Sequence, residues 1–254
     1  SGQGAAGEQH KLIKLDLEAL RKKGMITPSS GRTHLVEEMR GVKRPLLKYA
    51  FSDQAAELGL NNVIMVSSCQ SGEGKTFTAI NLAMSIAMEL DLYVLLIDAD
   101  LYRRGVCEVL DIKERPGLVD LAQDPKLELS DVLLKTNIPN LSILQAGTFD
   151  SHATELLASQ HMIDVIKDIS SRYPDRVVII DTPPVLASSE PQVLAAIVGQ
   201  VVMVVEEGST TRQLLDSALT EISDAQKVSF ILNKHRRRKN KASRKNYYYY
   251  EKDR

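Results

Sequence analysis

Apolar positions along this chain come in two textures, and the change falls near residue 59. Over residues 9–23, QHKLIKLDLEALRKK, apolar side chains stand at Leu12, Leu15 and Leu20, a spacing that predicts a short amphipathic helix. Gly24 and the stretch TPSSGR break it. A second helical pattern begins near Thr33 with Leu35, Val36, Met39 and Val42. Pro45 is expected to interrupt it before it resumes through Leu46, Tyr49 and Ala50 toward Leu58. Beyond that the apolar residues gather into short β-branched runs: NNVIMVSS, LYVLLIDAD, NLSILQAG, DRVVIIDTPP, QVVMVVEEG and KVSFILNK. Runs apolar on both faces fit parallel strands buried on both sides. Helix-length segments separate them, at Thr76–Glu89, 151–172, 188–198 and 210–226. Strands alternating with helices predict an α/β fold with a doubly wound parallel sheet.

In such a sheet, ligands bind where the strands end. After the first run comes CQSGEGKT, residues 69–76, which fits the P-loop pattern except that Cys69 stands in the place of the first glycine. A loop of this kind between a strand and a helix aims backbone amides and the positive helix end at phosphate. Ser71, Gly72, Glu73, Gly74, Lys75, Thr76 and Phe77 are therefore expected at the nucleotide. Lys75 suits the β- and γ-phosphates, and the Thr76 hydroxyl suits Mg2+. A glycine-rich turn that merely caps a helix is the alternative. Two more strands end in carboxylates: Asp98 and Asp100, two residues apart and so on one side if the strand continues, and Asp181, followed by two prolines. A carboxylate at a strand tip beside a P-loop is placed to hold Mg2+ directly or through water, though Asp181 alone could instead cap a helix. The combination points to a P-loop NTPase, Rossmann-like in layout, that binds a nucleotide and Mg2+.

Composition alters this picture in three places. The formal net charge of −1 hides a strongly basic run, HRRRKNKASRK, at residues 235–245. Nucleic acid, an anionic lipid surface and simple solvation are its three readings, and the overall charge with no interleaved aromatic residues argues against nucleic acid. The two cysteines, Cys69 and Cys107, give no disulfide framework. No apolar run approaches the roughly 20 residues of a membrane span and no signal peptide is visible, so a cytoplasmic location is expected. None of His10, His34, His152, His161 and His235 has metal-ligand spacing. The chain divides into a tag-like linker at 1–8, a helical segment at 9–58, a P-loop domain at 59–234 and a flexible tail at 235–254. That tail contains four consecutive tyrosines, Tyr247 to Tyr250.

GEGKT, LLIDAD and VIIDTPP, in this order, resemble the Walker A, A′ and B motifs of bacterial tyrosine kinases, and the tyrosine run resembles that family's C-terminal cluster. The segment LRKKGMITPSS…EEMRGVKRPLL is similar to the subgroup found beside exopolysaccharide and exosortase gene clusters. The resemblance extends from about Leu12 onward. It implies an ATP- and Mg2+-dependent autokinase that phosphorylates Tyr247, Tyr248, Tyr249 and Tyr250 in trans. Lys75, Asp98, Asp100 and Asp181 would be catalytic. Asp98 would help activate the tyrosine hydroxyl, and Asp100 and Asp181, with Thr76, would organise the metal. By similarity Asn233 is a candidate for purine contact. The family's assembly motif E-x-x-R-x-x-R reads Glu37, Arg40 and Lys43 here, so a homo-oligomer is implied, a ring being one form; a solvated helix face is the alternative. Tyr102 occupies a position where the family often has arginine, with Arg103 next, and neither is assigned a role. Further implications are a membrane polysaccharide co-polymerase as activator, recruitment to the inner membrane through it, a cognate tyrosine phosphatase, and control of exopolysaccharide synthesis or export.

A tail suits this use because no folded structure must break for it to enter a neighbour's site. Each phosphate adds roughly −1.5 to −2 charge at pH 7, which would repel the tail from an acidic site. The competing class is the partition-type ATPase switch or scaffold. Those proteins usually carry a second lysine early in the P-loop, where this chain has Gln70 and Ser71.

Overall fold

A computed structural model describes residues 11–52, 60–148, 155–156, 159–172 and 175–235. The tyrosine run and most of the basic run lie outside the described residues. The central strands are β2 (Leu60–Ser68), β3 (Tyr93–Asp98), β6 (Arg176–Asp181) and β7 (Val198–Glu206). Around them lie β1 (Lys11–Ile13), β4 (Leu134–Thr136), β5 (Leu141–Leu144) and β8 (Val228–Asn233). The eight form one sheet in the order β1-β4-β5-β3-β6-β2-β7-β8. The six strands expected from the apolar runs are all present and mutually parallel. β4 runs antiparallel to β5, and β1 joins β4 at the far edge.

Alternate residues of the central strands face opposite sides, as the two-residue strand period requires. Val63, Met65, Leu95, Ile97, Val178 and Ile180 enter one core with Met162 and Ile166 of α7 (Gln160–Ser171) and Leu194 of α8 (Glu190–Ile197). Ile64, Val66, Leu96, Val177 and Ile179 enter the other, against α3 (Lys75–Ala87) and α2 (His34–Ala50). Eleven of the thirteen α3 residues are buried, so the helix that starts at the P-loop runs through the interior.

The N-terminal expectations need two corrections. Lys11–Ile13 is a strand, and the helix α1 spans only Leu17–Lys22. The Asp16 carboxylate accepts from the Glu18 and Ala19 amides at 3.0 and 2.9 Å, which fixes the start of the helix there. Asn137 brackets Leu15 with two backbone bonds of 2.9 and 3.1 Å, tying this segment to the sheet edge. Leucine spacing alone could not reveal either partner. Pro45 does not interrupt α2, which is continuous from His34 to Ala50. The carbonyl four residues earlier belongs to Gly41, and the loss of one helical bond is offset by burial of Val36, Met39 and Leu46. The remaining helices are α4 (Gly105–Leu110), α5 (Leu118–Gln123), α6 (Leu129–Val132) and α9 (Arg212–Glu221). Among the described residues, no helix is long and apolar enough to cross a membrane.

Candidate functional site

Between β2 and α3 the chain turns through Ser71–Gly74, with Gly72 at φ +90° and Gly74 at φ +95°. Both angles lie in the left-handed region that favours glycine. Space around a Cβ at Gly72 is open, whereas at Gly74 it would meet Asn233 Nδ2 at 2.1 Å. The loop is held from within and from outside. The buried Glu73 carboxylate accepts from the Gln70 amide at 2.9 Å and from the Thr210 hydroxyl. Asn233 Nδ2 donates to the Glu73 carbonyl at 2.8 Å. β8 and the loop before α9 thus brace the phosphate loop. Thr210 and the carboxylate role of Glu73 had no signal in the sequence, since their partners lie 137 residues apart.

At the start of α3, Lys75 Nζ lies 2.7 Å from Asp100 Oδ2 and 3.9 Å from Asp181 Oδ1. Thr76 Oγ1 donates to Asp181 Oδ2 at 2.7 Å. Gly105 packs close to Thr76, where a Cβ would come within 3.0 Å of the hydroxyl oxygen. Lys75, Thr76, Asp100 and Asp181, expected together from the motifs, are therefore brought together. Asp98 and Asp181 are direct neighbours in the β3–β6 register. β3 ends at Asp98, so Asp100 is placed by the following turn and not by a shared strand face. In that turn the Asp98 carboxylate accepts from the Asp100 and Val106 amides, each at 3.1 Å. Fully buried and engaged at both oxygens, Asp98 fixes the turn that presents Asp100.

The electrostatics follow from burial. Loss of solvent, and next the neighbouring Asp181, push the Asp98 carboxyl up toward neutrality. Burial also raises Asp181, against the opposing pull of Lys75 and the Thr76 hydrogen bond. Cys69 is pushed up to about 11 by burial and then by Glu73, so at neutral pH it is a thiol lining the loop. Among the described residues no three His, Cys, Asp or Glu side chains form a metal cage. Mg2+ in nucleotide sites rarely uses one: it takes one or two carboxylates plus phosphate oxygens and water. Asp181 Oδ1 is buried without a hydrogen-bond partner beside the Thr76 hydroxyl, and such an oxygen fits a cation. Thr76, Asp100 and Asp181 could hold that ion, and the Gly72–Gly74 amides with Lys75 could hold phosphates.

The α2 residues separate. Glu37 and Arg40 are exposed and paired with each other at 2.6 Å. Lys43, expected beside them in the assembly motif, is buried. It donates to the Ser85 carbonyl and pairs with Glu89, both at 2.6 Å, which fastens α2 to the end of α3.

An AAA-domain family model matches residues 61–234. The putative tyrosine-protein kinase EpsB of Ralstonia nicotianae is 33% identical over 184 residues, covering 72% of this chain and 23% of that protein. The chain thus spans about a quarter of the length of the curated relatives it first matches. The putative tyrosine-protein kinase CapB of Staphylococcus aureus is 26% identical, with 92% of this chain and 99% of CapB aligned. The crystal structure of the VpsO kinase domain superposes with a TM-score of 0.61 at 30% identity, over 80% of this chain and 100% of that one. With the P-loop, the strand-end carboxylates and the sheet order in the same chain, it belongs to the bacterial tyrosine-kinase branch of the AAA-domain P-loop family.

Proposed function

We propose that this chain is an ATP-dependent protein-tyrosine kinase that phosphorylates Tyr247, Tyr248, Tyr249 and Tyr250 on another copy of itself. The observation that carries the reading is the cluster of Lys75, Thr76, Asp100 and Asp181 at the P-loop end of α3. Phosphoryl transfer asks chiefly for positioning and charge neutralisation. Lys75 supplies the cation for the β- and γ-phosphates, and the loop amides hold their oxygens. Thr76, Asp100 and Asp181 would hold Mg2+, which would supply further neutralisation of the phosphates. The phenol oxygen bonds to the γ-phosphorus while the bond to the β–γ bridging oxygen breaks. ADP leaves with that electron pair, and the phenol proton passes to a carboxylate of the cluster. Asp98, assigned that role by resemblance, holds the turn carrying Asp100 and acts through it. Asn233 braces the P-loop from the end of β8 and is the candidate for purine contact.

Assembly would bring the tail of one copy to the site of another. Glu37 and Arg40 are the α2 residues free to face a neighbouring copy, while Lys43 anchors the helix within its own chain. A membrane polysaccharide co-polymerase as activator, recruitment to the inner membrane, a cognate phosphatase and control of exopolysaccharide export complete the reading, and the kinase names of EpsB and CapB support its enzymatic part.

The test is mass spectrometry of phosphatase-treated protein after incubation with Mg-ATP. Phosphate is expected on residues 247–250 and absent in Lys75→Met, a loss of at least about a hundred-fold, the scale of removing a charge-stabilising group from a transition state. ATP hydrolysis without phosphotyrosine, even with the cytosolic segment of a candidate membrane partner added, would leave an ATPase switch in its place.

A further inference from the structure

Beside Asp100, and reaching the phosphate loop at Ser71, lies a cavity of about 500 Å3. Ser71, Asp100, Arg103, Pro184, Ser188 and Glu190 line it. It therefore opens from the phosphate loop and a strand-end carboxylate onto the segment that follows β6. Two of its lining side chains have polar atoms that are buried and unpartnered: Glu190 Oε2 and Ser188 Oγ. Glu190 is 1% exposed, an extreme position for a carboxylate. Its place at the first turn of α8 explains why a negative charge is tolerated there, since the helix end is positive. That field gives Oε2 no donor, and a buried acceptor without one is costly enough that folds seldom retain it without a use.

We propose that this cavity is the subsite for the acceptor tyrosine, and that Glu190 is a positioning residue accepting a hydrogen bond from the entering segment. This inference rests on the kinase reading and extends it. The cavity adjoins Asp100, so a ring held there carries its hydroxyl toward the end of the site where the phosphate is transferred. The proline wall, Pro183 and Pro184, gives a flat apolar side for an aromatic ring, and both prolines are buried. The occupant is a tyrosine-bearing segment of a second copy of this chain.

The experiment mixes two full-length chains. The enzyme chain carries Tyr247–Tyr250 changed to Phe, and the acceptor chain carries Lys75→Met with its tyrosines intact. Glu190→Gln in the enzyme chain should raise the KM for the acceptor about ten-fold or more, as loss of a charged hydrogen-bond partner does, with the KM for ATP within about two-fold of the parent. The same change in the acceptor chain should alter transfer by less than about two-fold. Glu190→Asp should retain more transfer than Glu190→Gln. Ala187→Phe, at an exposed residue of the same rim, should reproduce the defect by filling the cavity. Undiminished transfer by the Glu190→Gln and Ala187→Phe enzymes would overturn the subsite alone, as would equal rises in both KM values. No transfer by the parent pair would overturn the kinase reading and the subsite with it.

Discussion

Strands β3 and β8 are both six residues long, and their surroundings are opposite. β3 lies between β5 and β6, and every residue after Tyr93 is buried. β8 is the sheet edge beyond β7, with Phe230 51% and Leu232 58% exposed. The difference extends to the chemistry at their ends. β3 delivers Asp98 into a solvent-free position where two amides and a neighbouring carboxylate define its state. β8 delivers Asn233, half-buried, as a brace on the outside of the phosphate loop. The buried carboxylate sits where the dielectric is low and its neighbours are fixed, whereas the side chain that braces the phosphate loop from outside sits at an accessible edge.

The largest expected effect tests the packing half of that contrast. Leu96→Ala in β3 should destabilise the protein by about 2–5 kcal/mol, because it opens a cavity in a fully buried site. Leu232→Ala in β8 should change stability by no more than about 0.5 kcal/mol. Equal midpoints in urea titrations of the two variants would erase the distinction between centre and edge.

A smaller effect concerns charge. The Asp181 carboxyl is raised from 3.8 to about 6, so between those values the folded chain binds more protons than the unfolded one. Stability contributed by this group is therefore greatest below pH 4 and is lost as pH rises through about 6. Asp181→Asn removes that loss. In EDTA, the Tm of the variant relative to the parent should climb by a few degrees from pH 4 to pH 7 and then level off. A difference that stays flat across the range would mean that Asp181 titrates as an ordinary surface carboxylate.

The smallest effect lies at the brace. Thr210→Val deletes the hydroxyl that donates to Glu73 while keeping the shape of the side chain. Nucleotide should bind about three- to ten-fold more weakly by calorimetry, the scale of one hydrogen bond, while the Tm moves little. An unchanged Kd would show that the phosphate loop keeps its shape without support from the edge.

Much of this molecule is legible in the chain itself. The apolar runs that became β2, β3, β5, β6 and β7 are short and apolar on both faces, and no other element buries such a pattern so well. KVSFILNK, read in the same way, became the edge strand β8, none of whose residues is buried, because no strand lies beyond it. GEGKT and the three aspartates could be located because a P-loop and a strand tip are local objects, written in consecutive residues. Lys11–Ile13 was not legible: three residues carry too little period to outweigh a leucine spacing that also suits a helix, and the strand exists only because β4 is there to pair with it. Nor was the passage of α2 through Pro45, which depends on what the helix buries. Lys43 has the spacing of an assembly residue, yet α3 supplies its partners. The same holds for Thr210 against Glu73 and for the buried, unpartnered oxygen of Glu190. The sequence by itself determined the six main strands and the places of the P-loop and the strand-end carboxylates, because propensity, periodicity and motif act over a few neighbouring residues. Tertiary structure alone decided which side chains are buried, paired or left without a donor, because those depend on contacts between segments far apart in the chain.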